Sequence, residues 1–112
     1  MSDCLFCKIV AGSIKANVVY DDDEVLAFHD LNPQAPLHVL VIPKRHVENL
    51  NALDDAELGG HLLRVAAQIA HQHGYAERGY RTVINCNADG GQTVFHLHVH
   101  LLAGRALHWP PG

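Results

Sequence analysis

The chain has 112 residues, with 8 Lys and Arg against 12 Asp and Glu, a formal net charge of −4. No global basic field therefore attracts a nucleic-acid backbone. Its 48% hydrophobic content is that of a globular protein, and no apolar run approaches the ~20 residues that span a bilayer.

The length suits one domain, residues 1–112, able to bury roughly two-thirds of its unfolded surface without disulfide staples. The N-terminus, MSDCLFCKIV, has Asp3 where a secretory signal wants positive charge, and no long apolar core follows. Three cysteines, two of them at Cys4 and Cys7, do not resemble a secreted disulfide framework. The expected compartment is the cytoplasm, with neither membrane nor nucleic acid as a partner.

In chain order, CLFCKIV (4–10) reads as a short helical turn ending near Gly12. NVVYDD (17–22) and EVLAFHDL (24–31) carry β-branched and aromatic residues around an acidic turn and predict a hairpin. NPQAP (32–36) holds two prolines and is a loop. LHVLVIP (37–43) predicts a strand in which His38 shares a face with Leu40 and Ile42.

Residues 54–74 predict the one long helix. Leu58, Leu62, Val65, Ala66 and Ile69 form its apolar stripe, with Asp54 as N-cap, Glu57 completing a capping box and Gly74 beyond its end. Gly59 and Gly60 predict close packing near its start. YRTVINC (80–86) and TVFHLHVHLLA (93–103) predict two further strands, joined by a loop containing NADGGQ. Strands in adjacent runs favour an α+β fold: an antiparallel sheet of about five strands with one long and one short helix.

The segment 93–103 holds three histidines at every second position. In a strand His96, His98 and His100 project from one face and Leu97, Val99 and Leu101 from the other, toward the core. A merely solvated face would be better served by Lys, Thr or Glu. A metal site is one reading, although rings at this spacing form a row rather than a tetrahedral cup. Nucleophilic or acid–base chemistry is the other, because burial and neighbouring imidazoles keep a central ring neutral. It stands slightly ahead of metal binding. The preceding NADGGQT (87–93) adds adjacent glycines and the Gln92 and Thr93 donors, which suit an anion such as a phosphoryl group.

The run HLHVHLL, together with FHDLNPQAPLHVLVIPKRH, DGGQTVFHLHVHLLAGR and the terminal HWPPG, resembles the histidine triad (HIT) superfamily over almost the whole chain, and its Hint branch in particular. That resemblance implies a homodimeric hydrolase of purine nucleoside 5′-phosphoramidates such as AMP-NH₂ or AMP–lysine, its sheet extended across the dimer. It implies that His98 attacks the α-phosphorus to form a nucleotidyl-histidine. His100 binds phosphate and protonates the leaving group, while His96 and His38 complete the catalytic network. By the same analogy Asp30 receives the ribose hydroxyls, Phe28 and Leu31 wall the base, and Asn85, Gly91, Gln92 and Thr93 line the phosphate. Thr93 stands where the branch often has serine. His29 is expected to be structural or at the surface, and the tail 104–112, with Trp109, to reach the partner's site.

No cofactor is expected for catalysis. Cys4 and Cys7 suit one edge of a tetrahedral zinc site, and by matched position in related proteins His46 and His96 would complete a structural site. Two small buried hydrophobes on a helical turn are the alternative, and Cys86 is expected to be a buried thiol. Competing functional readings are a dinucleoside-polyphosphate hydrolase of the same superfamily and a non-enzymatic nucleotide- or zinc-binding interaction protein.

Overall fold

The computed structural model describes residues 3–112. Helix α1 (Leu5–Val10) is followed by the hairpin of β1 (Val18–Asp21) and β2 (Val25–His29), then by β3 (Leu37–Pro43). A 3-10 turn (Leu50–Ala52) leads into α2 (Ala56–Gln72), β4 (Arg81–Val83), the one-turn α3 (Asn87–Gly90) and β5 (Val99–Ala103). The five strands form one antiparallel sheet in the order β1-β2-β3-β5-β4. Among the described residues no helix is long and apolar enough to cross a membrane.

Alternation along the central strands builds two cores. Val25, Ala27, Val39, Val41, Leu97, Val99 and Leu101 point to one side and pack against Leu58, Leu62, Val65, Ala66 and Ile69 of α2. Each fully buried Val, Leu or Ile among them contributes about 1.5–3 kcal/mol. On the other side Leu26, Phe28, Leu40 and Ile42 pack against Phe6 of α1. The histidine face of the sheet is therefore covered by α1 rather than open along its length.

Three sequence expectations need correction. The N-cap of α2 is Asp55, whose carboxylate accepts from the Leu58 amide at 3.1 Å, while Asp54 lies 3.4 Å from the Arg45 guanidinium. With the cap at Asp55, Glu57 stands one position too early for a capping box. The strand expected over 93–103 joins the ladder only at Val99. Residues before it are tied instead to the loop after β3: the Leu97 amide donates to the Val47 carbonyl at 2.7 Å, and the Gln92 amide group donates to Glu48 O. The NADGGQ loop contains the helical turn α3, closed by Gly91 at φ 82°.

Two glycines are closely approached, and one of them is required. A Cβ on Gly59 would meet Leu53 at 3.1 Å, whereas one on Gly60 would meet nothing within 4 Å. Gly104 ends β5 at φ 101°, and a Cβ there would lie 2.7 Å from Pro36, a double demand only glycine satisfies.

Candidate active site

β3 and β5 pair with Leu40 opposite His100 and His38 opposite Leu102, which sets His38 diagonally beside His100 on one face. The rings of His38 and His100 are 5.2 Å apart, and those of His98 and His100 are 4.9 Å apart. His96 is fully buried, His38 and His98 nearly so, and His100 is half-buried.

Hydrogen-bond partners assign the tautomer of each ring. The Gln34 amide donates to His38 Nδ1 at 3.0 Å, so the His38 proton is on Nε2. That Nε2–H donates to His100 Nδ1 at 2.9 Å, with the Asp30 carboxylate 3.4 Å away. His100 therefore carries its own proton on Nε2. His98 Nδ1 donates to the His96 carbonyl at 2.7 Å, which leaves a lone pair on Nε2. His96 Nε2 donates to the Pro43 carbonyl at 2.8 Å, which leaves a lone pair on Nδ1.

All four rings are held neutral at pH 7. Burial lowers His98, with the hydrogen bond to the His96 carbonyl and the Asp30 charge opposing it. Burial and the His98 and His38 imidazoles push His100 down to about 4, against the pull of Asp30. His38 is lowered by burial against Asp30. His96 is lowered by burial, opposed by its bond to Pro43 O and reinforced by His46 and His98.

A cavity of about 260 Å³ opens over His98 and His100. Of the sequence-predicted residues, Phe28, Asp30, Leu31 and Thr93 also line it. Leu31 is 97% exposed and forms the rim rather than a wall. Asp30 is half-buried, with Oδ1 accepting from the Asn32 amide at 2.8 Å. Asn85, Gly91 and Gln92 do not line the cavity. The Gln92 side chain is committed to the Asn87 amide and to the Glu48 and Val94 carbonyls, so it braces the loop that presents Thr93. His29, expected to be structural or at the surface, is half-buried and lines the cavity.

Sequence reasoning missed the opposite wall. Leu5, Phe6 and Ile9 of α1, with Ile14 and the exposed Lys15, complete the cavity. Their only sequence signal is an apolar turn with no evident partner.

Cys4, Cys7, His46 and His96 converge, with one donor atom from each lying within 4.8 Å of all the others. Cys4 Sγ and Cys7 Sγ lie 3.3 and 3.5 Å from His96 Nδ1, and Cys7 Sγ lies 3.3 Å from His46 Nδ1. Two thiols and two imidazole nitrogens at these separations fit a tetrahedral zinc ion. His96 turns its lone pair toward the sulfurs and gives its other N–H to a backbone carbonyl, as zinc-bound imidazoles do. The row of rings is thus divided: His96 belongs to this cluster, while His98 and His100 face the cavity. Asp30, His38 and His100 also lie close together, but His38 Nε2 carries the proton it gives to His100, so that nitrogen has no lone pair for a metal. Cys86 is half-buried rather than buried and is the N-cap residue of α3. In the tail, Arg81 donates to the His108 carbonyl at 2.9 Å, and Trp109 is 81% exposed.

Comparison with known proteins agrees with this geometry. The HIT domain family model matches residues 11–107. An uncharacterized HIT-like protein of Synechococcus elongatus is 54% identical over 98% of this chain and 97% of its own length. The 14 kDa zinc-binding protein of Zea mays is 50% identical over 99% of this chain and 89% of its own. The crystal structure of a HIT family hydrolase from Legionella pneumophila superposes with a TM-score of 0.95 at 50% identity, covering 98% of this chain and 100% of that one. A histidine triad protein from Clostridium difficile gives 0.92 at 47% identity, with 96% of each chain covered. With the family model spanning residues 11–107 and relatives at this identity covering nearly the whole chain, the chain belongs to the HIT domain family.

Proposed function

We propose that this protein is a hydrolase of the Hint type, cleaving the P–N bond of purine nucleoside 5′-phosphoramidates through a nucleotidyl-His98 intermediate. The observation that carries the reading is the 2.7 Å hydrogen bond from His98 Nδ1 to the His96 carbonyl. It leaves an uncharged ring with its Nε2 lone pair at the cavity, as a nucleophile requires. The matched hydrolase from Legionella pneumophila supports the general class.

In the proposed reaction His98 Nε2 bonds to the α-phosphorus and the ring becomes an imidazolium, its Nδ1–H still on His96 O. The P–N bond breaks, and the amine departs with the electron pair and a proton from His100 Nε2, which is replaced from solvent as it leaves, so the ring stays neutral. The proton drawn from solvent accounts for the positive charge gained at His98. Water then attacks phosphorus, gives up a proton to solvent and displaces His98, releasing the nucleoside monophosphate. His38 holds His100 in the donating tautomer. Asp30 receives the ribose hydroxyls, Phe28 and Leu31 flank the base, and Thr93 donates to the phosphoryl oxygens.

Zinc held by Cys4, Cys7, His46 and His96 would tie the N-terminal turn to the sheet and supply structure rather than chemistry. A homodimer that extends the sheet is supported by β4 at its edge and by the exposed Leu50 and Leu63 nearby. The tail bearing Trp109 would then reach the partner's cavity. The test is mass spectrometry of protein quenched during turnover of an AMP-phosphoramidate. A nucleotidyl adduct on His98 is the expected result, and turnover without any adduct on that residue overturns the mechanism.

A further inference from the structure

The metal cluster and the cavity share one short segment. Cys4 is the N-cap of α1 and Cys7 lies in its first turn, and between them Leu5 and Phe6 enter the cavity wall. Phe6 is 4% exposed and meets three rings edge-on: His98 at 5.1 Å, Phe28 at 5.4 Å and His96 at 5.9 Å. At the far side His96 is both a member of the cluster, through Nδ1, and the acceptor that sets the His98 tautomer, through its carbonyl. A helix of six residues has no stability of its own in water, so α1 depends on what fastens it.

We propose that the Cys4–Cys7–His46–His96 cluster is a metal-operated latch on the nucleotide cavity: metal there holds Phe6 against His98, and loss of metal releases the α1 wall and weakens nucleotide binding. The inference rests on the nucleotide reading above and adds a control to it. Phe6 is a positioning residue, because it touches the ring of His98 and sets the packing of the base wall. The latch is local. The α2 core lies on the other face of the sheet and shares no side chain with it.

The experiment compares the full chain loaded with zinc and the same chain stripped by a chelator. It follows hydrogen exchange of backbone amides and calorimetric titration with AMP. Stripping is expected to speed exchange in α1 by about tenfold or more while α2 amides over 58–70 keep their protection. The dissociation constant for AMP rises by about tenfold, the scale of one lost apolar wall residue. The Cys4→Ser/Cys7→Ser protein behaves like the stripped chain. Zinc-loaded Phe6→Leu keeps its metal and α1 protection, and its loss falls on KM more than on kcat.

A chain that takes up no zinc overturns the proposal, as does unchanged α1 exchange or unchanged AMP affinity on stripping. Loss of α2 protection together with α1 also overturns it, since the metal would then hold the whole fold. If zinc-loaded protein fails to bind AMP, the nucleotide reading is what falls. The exchange comparison, made without nucleotide, still decides whether α1 is latched.

Discussion

The main-chain carbonyl of His96 lies 2.7 Å from Nδ1 of His98, and this contact orients the ring from two residues upstream in the segment that leads into β5. Because the acceptor is backbone, no side-chain substitution nearby removes it directly. The proton stays on Nδ1, and the lone pair faces the cavity with no side-chain base needed to expose it. The chemistry expected of the site follows from this arrangement.

Substituting His98 separates catalysis from binding. His98→Ala is expected to lower kcat/KM for AMP-phosphoramidate by about a thousandfold or more, as loss of a covalent nucleophile does. AMP binding, measured by calorimetry, is expected to survive, because the cavity walls and Asp30 remain. Full turnover by this variant would exclude His98 as the nucleophile.

The role of His100 depends on the leaving group. In the proposed reaction its Nε2–H goes to the departing amine, so His100→Gln is expected to slow alkylamine substrates by about a hundredfold. Arylamines, which leave with less protonation, are expected to suffer less. A ratio of kcat values that does not change between the two substrate classes would contradict the assignment.

Acidification acts on stability through the same rings. The folded His100 titrates near 4, below its ordinary 6.5. Between these values the unfolded chain holds a proton that the native chain does not, so stability falls as pH drops through that window. His38, His96 and His98 are also lowered, by burial, and add to the loss. Burial alone would raise the Asp22 carboxyl, but hydrogen bonds from Tyr20, the Glu24 amide, His61 and the Val25 amide hold it well below its ordinary 3.8. Its contribution is lost only at lower pH still. Thermal melts from pH 7 to 4 are expected to show a steady fall in Tm, and His100→Gln to flatten it.

Asp30 is expected to read the sugar. Asp30→Asn is predicted to weaken binding of a ribonucleotide by about tenfold, the scale of one charge-assisted hydrogen bond. A 2′,3′-dideoxynucleotide, which lacks both hydroxyls, is expected to bind the two proteins equally. Calorimetric titration of the four combinations supplies the test.

The junction after β5 is expected to tolerate only glycine. Gly104→Ala places a Cβ 2.7 Å from Pro36 at φ 101°. A loss of about 2 kcal/mol or more is expected, from overpacking and a disfavoured backbone together. Urea denaturation would measure it, and an unchanged midpoint would refute it.

Patterns confined to one element were legible in the sequence. The stripe Leu58, Leu62, Val65, Ala66 and Ile69 placed α2, and the alternation of Leu97, Val99 and Leu101 with three histidines sorted both faces correctly. What escaped depended on distant partners. Asp54 and Asp55 are chemically equivalent caps until Arg45 comes within 3.4 Å of the former. Residues 93–98 look like strand, yet their tethers run to Pro43 and Val47, and Gln92 just before them is held on Glu48. By spacing alone His96 reads as one of three equal rings; only the family resemblance set it with Cys4 and Cys7, about ninety positions away, whose sulfurs lie at its Nδ1. The apolar wall from Phe6, Ile9 and Ile14 carried no pattern beyond a greasy turn.

The pairing of Leu40 with His100 and Val41 with Val99 carries one more consequence. Both sides of the sheet are occupied, so a slip of β5 by a single position would drive the His100 imidazole among the aliphatics beneath α2 and aliphatics toward the cavity. A misthreaded molecule would therefore be unstable and inert at once. Proofreading of the fold and selection for chemistry act on the same alternation.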